Sequence, residues 1–266
     1  MKISLITVCY NAESNITDCL KSVASQDYPN LEYIIVDGGS NDATLEILKK
    51  YSDGISILIS EPDNGIYDAL NKGIAAASGD IIGIMHSDDF FAQSNILTEV
   101  ANAFTSQNAD LLYGNLDYVK RNNTQIITRR WRSQQYNDKL FLNGWMPAHP
   151  TFYAKKSCFL SFGNYDLRFK SAADYDLMLR FFYKTSFKKF FLNMVMVKMR
   201  VGGKSNVTLS NRWYANREDY QSLKKNAIPF PLKVILFKPL RKIWQFLNKF
   251  AEYNFNAKTK SNNYLI

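Results

Sequence analysis

Histidine and cysteine are scarce in this chain of 266 residues. Only His86 and His149 occur, so a histidine-rich metal site and an H-E-x-x-H zinc motif are both excluded. The three cysteines, Cys9, Cys19 and Cys158, are odd in number and show no C-x-x-C spacing. That argues against a disulfide framework and against a zinc knuckle, and a reducing cytosol is the simplest compartment for such a chain. No run reaches about 18 uninterrupted apolar residues, the length a spanning helix needs. Ile3 to Tyr10 is apolar but too short for a signal core, only Lys2 precedes it, and no small-residue cleavage site follows. It reads as a first strand. Three common fingerprints are also missing. There is no G-x-G-x-x-G and no G-x-S-x-G, and Gly202-Gly203-Lys204-Ser205 fails as a P-loop because the motif's first glycine falls on Lys198.

What is present is the composition of an ordinary folded protein, 46% hydrophobic and 21% charged. The length suits one large α/β domain or two small ones. The net charge of +9 is unevenly placed: from Lys224 onward nine basic residues face one acid, Glu252, while the first 223 residues carry 24 basic against 23 acidic. A nucleic-acid-binding body is therefore a poor expectation. The step in charge suggests two parts, residues 1–225 and a basic tail, 226–266.

Strand and helix signals alternate through the first half. Strands are expected at Ile3–Tyr10, Leu31–Asp37, Ile55–Ser60 and Ile81–Met85, with helices between them carrying Ile16, Leu20 and Val23, then Leu45, Leu48 and Tyr51, then Tyr67 to Ala77. This alternation predicts right-handed βαβ units and a parallel sheet. Further on, a helix at Ile96–Phe104, edge or antiparallel strands at Leu111–Val119 and Gln125–Trp131, a loop around His149, a helix at Ala172–Tyr183 and a strand at Phe190–Val201 are expected.

The central stretch is Ile81–Met85 followed by His86-Ser87-Asp88-Asp89. Two adjacent carboxylates at the carboxyl end of a buried strand raise each other's pKa, and a divalent cation is the usual remedy. Ligands in open α/β sheets also sit at that end of the strands. The stretch therefore reads as a metal-diphosphate site, with capping of the next helix as the plainer alternative. Asp37-Gly38-Gly39-Ser40 ends the second strand, where Asp37 can accept a hydrogen bond from a base or ribose, or simply shape a strand-to-helix turn. Tyr10 beside Asn11 can stack on a nucleobase or fill the core. Lys72 can pair with phosphates, with Asp88, or with solvent.

Asp174 and Asp176 lie two residues apart on a predicted helix and so diverge by about 200°. Arg180 is the natural partner of Asp176. Asp174 is then left in the first turn, where the helix dipole favours an ionised carboxylate able to act as a general base. Lys204, after the paired glycines, can supply charge from a loop closing on a phosphate, or the glycines can mark a hairpin. In the tail, Leu236, Leu240, Ile243, Leu247 and Phe250 recur at helical spacing beside Trp244, with Lys238, Arg241, Lys242 and Lys249 largely on other faces. Two short helices are expected, the second starting at Pro239. Such a basic amphipathic segment suits a membrane surface, or packing against the domain or a partner.

The ordered set Thr7-Val-Cys-Tyr-Asn11, Ile35-Val-Asp-Gly-Gly-Ser40, Asn64-Gly65, Asn71-Lys-Gly73, His86-Ser-Asp-Asp89, His149-Pro-Thr-Phe152, Ala173-Asp-Tyr-Asp-Leu177 and Gly202-Gly203 resembles family 2 glycosyltransferases of the GT-A fold. The likeness spans about residues 1–210 and is nearest to bacterial members that build O-antigen, capsule and exopolysaccharide repeats. It implies a Rossmann-like three-layer α/β sandwich with a mostly parallel central sheet, joined here to basic amphipathic C-terminal helices. It implies donor contacts at Thr7, Tyr10, Asn11, Asp37, Asn71, Lys72, Asp88 and Lys204, and an acceptor or diphosphate loop at His149, Gly202 and Gly203. Mg²⁺ or Mn²⁺ is expected at Asp89, with Asp88, and Asp174 is expected as catalytic base. Two departures stand out: Ala173 replaces the Glu of the family's Glu-Asp motif, and His86 replaces an Asp two residues before Asp88.

The implied reaction is an inverting transfer of a sugar from a nucleotide-sugar, UDP-linked by expectation, to a glycan or polyprenyl-diphosphate-linked acceptor. The implied place is cytoplasmic, on the inner face of the cell membrane. The rival readings are a catalytically silent sugar-nucleotide or glycan-binding module and a nucleotidyltransferase. The latter normally needs a Gly- and Lys/Arg-rich loop after the first strand, and Asn11-Ala-Glu-Ser-Asn15 is not one.

Overall fold

The computed structural model of the chain describes residues 1–202 and 209–241. Its first half follows the alternation of apolar strands and amphipathic helices. Strands β1 (Ile3–Cys9), β2 (Leu31–Asp37), β3 (Ile57–Ser60) and β4 (Ile81–His86) alternate with helices α1 (Ile16–Ala24), α2 (Thr44–Lys50) and α3 (Ile66–Ala76). The four strands pair in parallel in the order β3-β2-β1-β4. β1 is buried along its whole length, as a strand covered on both faces must be. Ile6 and Val8 face the α3 side, against Leu70 and Ile74. Leu5 and Cys9 face the other layer, with Ile16 and Leu20 of α1.

Two glycines set how closely the layers approach. A Cβ on Gly73 of α3 would lie 2.5 Å from Cγ2 of Ile6, and one on Gly83 of β4 would lie 2.1 Å from Cε1 of Tyr153. The missing side chains let α3 and the Tyr153 ring sit directly on the two central strands.

The second half extends the same sheet. Strand β5 (Phe90–Phe91) and helix α4 (Ile96–Gln107) lead to the hairpin β6 (Leu111–Lys120) and β7 (Asn123–Trp131). Helix α5 (Asp138–Leu142), strand β8 (Tyr153–Lys155), helices α6 (Lys156–Phe162) and α7 (Ala173–Phe182), and strand β9 (Lys189–Arg200) follow. β8 inserts antiparallel between β4 and β6, and β9 lies parallel to β6, so the full order is β3-β2-β1-β4-β8-β6-β9-β5 with β7 on β6. The expected loop around His149 is a single 3-10 turn, His149–Thr151, running straight into β8. Three residues are too few to leave a periodic signal.

Beyond the expected boundary at residue 225 the described chain stays in contact with the rest of the fold. After α8 (Leu209–Lys225), a further helix, α9 (231–241), packs on the body. Ile228 and Val234 are buried in the same core cluster as α3 and α7. Lys238 pairs with Asp219 of α8 at 2.6 Å and lies 3.6 Å from the centre of the Tyr175 ring, while Arg241 Nε donates to the Asn143 carbonyl at 2.7 Å. The step in charge is a surface property, whereas a few apolar positions decide where the segment docks. α9 also runs unbroken through Pro239, in place of the expected restart there, at the cost of one helix hydrogen bond. Ile243, Trp244, Leu247, Lys249 and Phe250 lie outside the described residues. Among those described, no helix is long and apolar enough to cross a membrane.

Candidate active site

The carboxyl ends of β1, β2 and β4 open toward one side of the sheet. Past β1, Tyr10 is exposed and Asn11 turns into the left-handed region (φ 48°). Asparagine tolerates that conformation, and here Asn11 Oδ1 accepts the Asn41 amide at 3.0 Å while its own amide donates to Ser40 Oγ at 2.8 Å. Asp37, ending β2, is fully buried and saturated. Its Oδ2 accepts from Gly39 N, Ser40 N and Ser60 Oγ at 3.2, 3.0 and 2.8 Å, and its Oδ1 accepts from Ser40 Oγ.

Asp63 reaches over this turn: a Cβ on Gly38 would lie 2.4 Å from Asp63 Oδ2. The carboxylate therefore occupies the room that a side chain at 38 would take. Sequence reading missed Asp63, although Gly38 after an Asp was the clue that something else fills the space.

At the tip of β4 the two acids part company. Asp88 is partly exposed, with Oδ2 3.7 Å from Arg121 Nη2 at the β6–β7 turn. Asp89 is fully buried; its Oδ1 accepts the Arg200 amide at 3.3 Å and its Oδ2 has no partner. Burial, and then the charge of Asp88, holds the Asp89 carboxyl well above the usual carboxylate range. Of the two acids expected at the metal, Asp88 is the more exposed and Asp89 lies behind it. Arg200, at the end of β9, ties the tip together. It donates through Nη1 to the Asp88 carbonyl at 2.7 Å and through Nη2 to Asp18 of α1.

Opposite stands the amino end of α7. Glu218 of α8 is buried and accepts the amides of Lys170, Ser171 and Ala172 at 3.0, 2.7 and 3.1 Å, fixing the approach to the helix. Asp176 turns away and pairs with Arg180 at 2.8 Å, as the four-residue spacing predicts, and with Lys225 at 3.0 Å. Asp174 turns toward β4. Its Oδ1 accepts the Tyr175 amide at 2.8 Å and the Tyr67 hydroxyl at 3.2 Å. Burial raises its pKa, against the pull of the Tyr175 amide, Lys238, Tyr67 and His86.

His86 joins the two sides. Burial lowers its pKa, while Asp88 and Asp174 both pull it up. The His86 and His149 rings lie 5.7 Å apart, and His149 Nε2 meets the Tyr165 hydroxyl at 2.6 Å. Burial, then His86, holds His149 down to about 3, so it is neutral at ordinary pH.

The model for the family described as glycosyl transferase family 2 matches residues 4–170. The chain belongs to that family. It is an enzyme, a glycosyltransferase, and the nucleotidyltransferase and silent-module readings are set aside. A PGL/p-HBAD biosynthesis glycosyltransferase of Mycobacterium bovis is 28% identical over 216 residues, 79% of this chain and 81% of that protein. Among solved structures, S. aureus TarS 1-349 in complex with UDP-GlcNAc has a TM-score of 0.67 at 19% identity, covering 86% of this chain. The chain spans 66% of that TarS fragment. The mannosyltransferase PcManGT of Pyrobaculum calidifontis, in complex with GDP-Man and Mn²⁺, has a TM-score of 0.63 at 17% identity, covering 97% of this chain and 75% of its own. The fold is the GT-A fold.

In this glycosyltransferase four of the expected site residues are engaged within the fold. Thr7 is fully buried and bonded to the Tyr33 hydroxyl at 3.0 Å. Lys72 pairs with Glu61 at 2.7 Å instead of Asp88. Asn71 is spent on the backbone of Tyr165, donating to its carbonyl and accepting its amide, both at 2.9 Å. His149 is buried behind Tyr165 rather than lining an open loop. Gly202 is exposed, with φ +99°; Gly203 and Lys204 lie outside the described residues. Arg121, Arg200 and Tyr67 escaped sequence reading because each meets its partner across more than one element. Tyr67 left a faint trace, since it shares a helical face with Leu70 and Ile74.

The acids suit a divalent cation. Among the described residues no three His, Cys, Asp or Glu side chains gather into a metal cage. A partly exposed carboxylate at Asp88, backed by the unpartnered Asp89 Oδ2, would suit Mg²⁺ or Mn²⁺ with a diphosphate and water completing its shell.

Proposed function

We propose that the enzyme inverts the anomeric centre as it moves a sugar from a nucleotide-sugar, UDP-linked in the first instance, to a glycan or polyprenyl-diphosphate-linked acceptor in surface-polysaccharide synthesis. The carrying observation is a chain of contacts from the tip of β4 to α7: the His86 ring lies 5.7 Å from His149, His149 meets the Tyr165 hydroxyl at 2.6 Å, and Tyr67, stacked on Tyr165, donates to Asp174 at 3.2 Å. The nucleotide would lie over Tyr10, with Asp63 and the loop fixed by Asp37 at its base. TarS with UDP-GlcNAc and PcManGT with GDP-Man and Mn²⁺ support a donor of this class.

Asp174 takes the proton of the acceptor hydroxyl as the oxygen attacks the anomeric carbon. The bond from that carbon to the diphosphate oxygen breaks, and its electron pair leaves with the nucleotide. Mg²⁺ or Mn²⁺ held by Asp88 would offset the charge gathering on the diphosphate. Arg121, within 3.7 Å of Asp88, is placed to add a second positive charge.

The basic C-terminal segment suits an anionic membrane surface. Leu232, Leu236 and Leu240 of α9 are exposed at 67, 70 and 52%, and basic residues predominate beyond them. We place the enzyme peripherally on the inner face of the cell membrane.

The test is thermal melting with UDP-GlcNAc and GDP-mannose, each with and without Mn²⁺, because a ligand of the native state raises the melting point. Donor that raises it only with Mn²⁺ in the wild type, and no longer in Asp88→Asn, supports the metal assignment. Asp174→Asn should keep donor binding and lose about 10²- to 10⁴-fold in transfer; a variant that transfers normally overturns the base. Leu236→Asp with Leu240→Asp should cut sedimentation with anionic vesicles, and unchanged binding would dismiss the membrane surface.

A further inference from the structure

Tyr67 has no part in the reaction proposed above, yet among the described residues its side chain is the one that hydrogen-bonds the candidate base. It stands at the start of α3, just after Gly65, which takes φ +109° where the chain turns into the helix. Its ring stacks on Tyr165, with centroids 5.5 Å apart and planes 19° from parallel. Tyr165 is itself held twice: at its backbone by Asn71, one turn along α3 from Tyr67, and at its hydroxyl by His149. The ring of Tyr67 is thereby fixed by its own helix at one end and by a clamped neighbour on its face.

We infer that Tyr67 is a positioning residue of the reaction: its hydroxyl, donated to Asp174 Oδ1, orients that carboxylate and keeps it ionised. The inference rests on the reading of Asp174 as base.

Three observations give it content. Burial, followed by the charge of Asp174, pushes the Tyr67 phenol up, so it keeps its proton and acts as a donor. The Tyr175 amide and the Tyr67 hydroxyl both go to Oδ1, so Oδ2 is the oxygen left to take a proton from an acceptor. Burial works against the charge on Asp174, and the groups that answer it come from separate elements: Tyr67 from α3, His86 from β4, Lys238 from α9 and the Tyr175 amide from α7. Only Tyr67 does so with a side-chain hydrogen bond.

The measurement is the titration of Asp174 in the full chain carrying ¹³C-carboxyl-labelled aspartate, with its resonance identified by its loss in Asp174→Asn. Tyr67→Phe keeps the stacked ring and removes the donor. Losing a hydrogen bond to a charged acceptor should raise the midpoint by about one pH unit. Tyr165→Phe, which frees His149 but leaves the stack, should leave the midpoint where it is. An unmoved midpoint in Tyr67→Phe overturns the inference, as does an equal shift in both variants, which would trace the effect to packing. If Asp174→Asn still transfers sugar, the base assignment falls whatever the titration shows, so the two failures are told apart.

Discussion

Two carboxylates, Asp37 at the end of β2 and Asp174 in the first turn of α7, are held in different ways. Asp37 is satisfied by its own turn: Gly39 and Ser40 supply amides two and three residues on, and Ser60 comes from the adjacent strand. Asp174 depends on residues far away in the chain. Tyr67 is 107 positions earlier, Glu218 on α8 fixes the approach to its helix, and Lys238 on α9 lies against its neighbour Tyr175. The turn after β2 is thus assembled by local backbone geometry and the start of α7 by tertiary docking. Damage to the core of the C-terminal helices should reach catalysis without touching the nucleotide end.

The sharpest way to break this contrast is Asp176→Ala. Asp176 is fully buried and binds Arg180, Lys225 and Asn226, joining α7 to α8 and the residues after it. Removing one member of a buried ion pair costs about 3–5 kcal/mol. Urea melts should show that loss together with weakened transfer. A stable variant would mean that the base side is not docked from a distance.

Asp37→Asn comes next. An amide nitrogen cannot accept, so at least one buried donor is stranded, at about 1–3 kcal/mol. The loss should stay local: donor-induced stabilisation weakens, while the titration of Asp174 holds. If Asp37→Asn costs more than Asp176→Ala, the ranking of the two sides is reversed.

Lys238→Met is the mildest. It keeps the stem over the Tyr175 ring but removes a charge that favours ionised Asp174. The folded-state pKa of Asp174 should rise, so the acidic limb of any transfer profile moves to higher pH, by less than in Tyr67→Phe. A limb shifted downward would show that Lys238 acts otherwise.

The same contrast explains what could be read from the sequence. β1, β2 and β4 announce themselves as short apolar runs ending in polar turns, and α1 to α3 as periodic faces, because each carries its signal in its own residues. The acidic pair was visible, but not which of the two is buried. That depends on Arg200, which approaches from β9 and claims Asp89 through its backbone amide. The bonds that Thr7 makes to Tyr33 and Asn71 to Tyr165 were not legible, since those partners lie 26 and 94 positions away. The tail looked separable because its charge is distinctive. Its attachment rests on Ile228 and Val234, two apolar residues that resemble any others in the sequence.

One detail of that attachment bears on how the enzyme would work at a lipid surface. A Cβ on Gly144 would lie 2.6 Å from the Lys238 amide nitrogen, so α9 rests on the body with no room even for a methyl group. A helix seated so tightly cannot serve as a leash. Contact between its outer leucines and a bilayer would hold the entire catalytic body at a set tilt, and the angle at which the cleft meets incoming acceptors would be dictated by this one glycine.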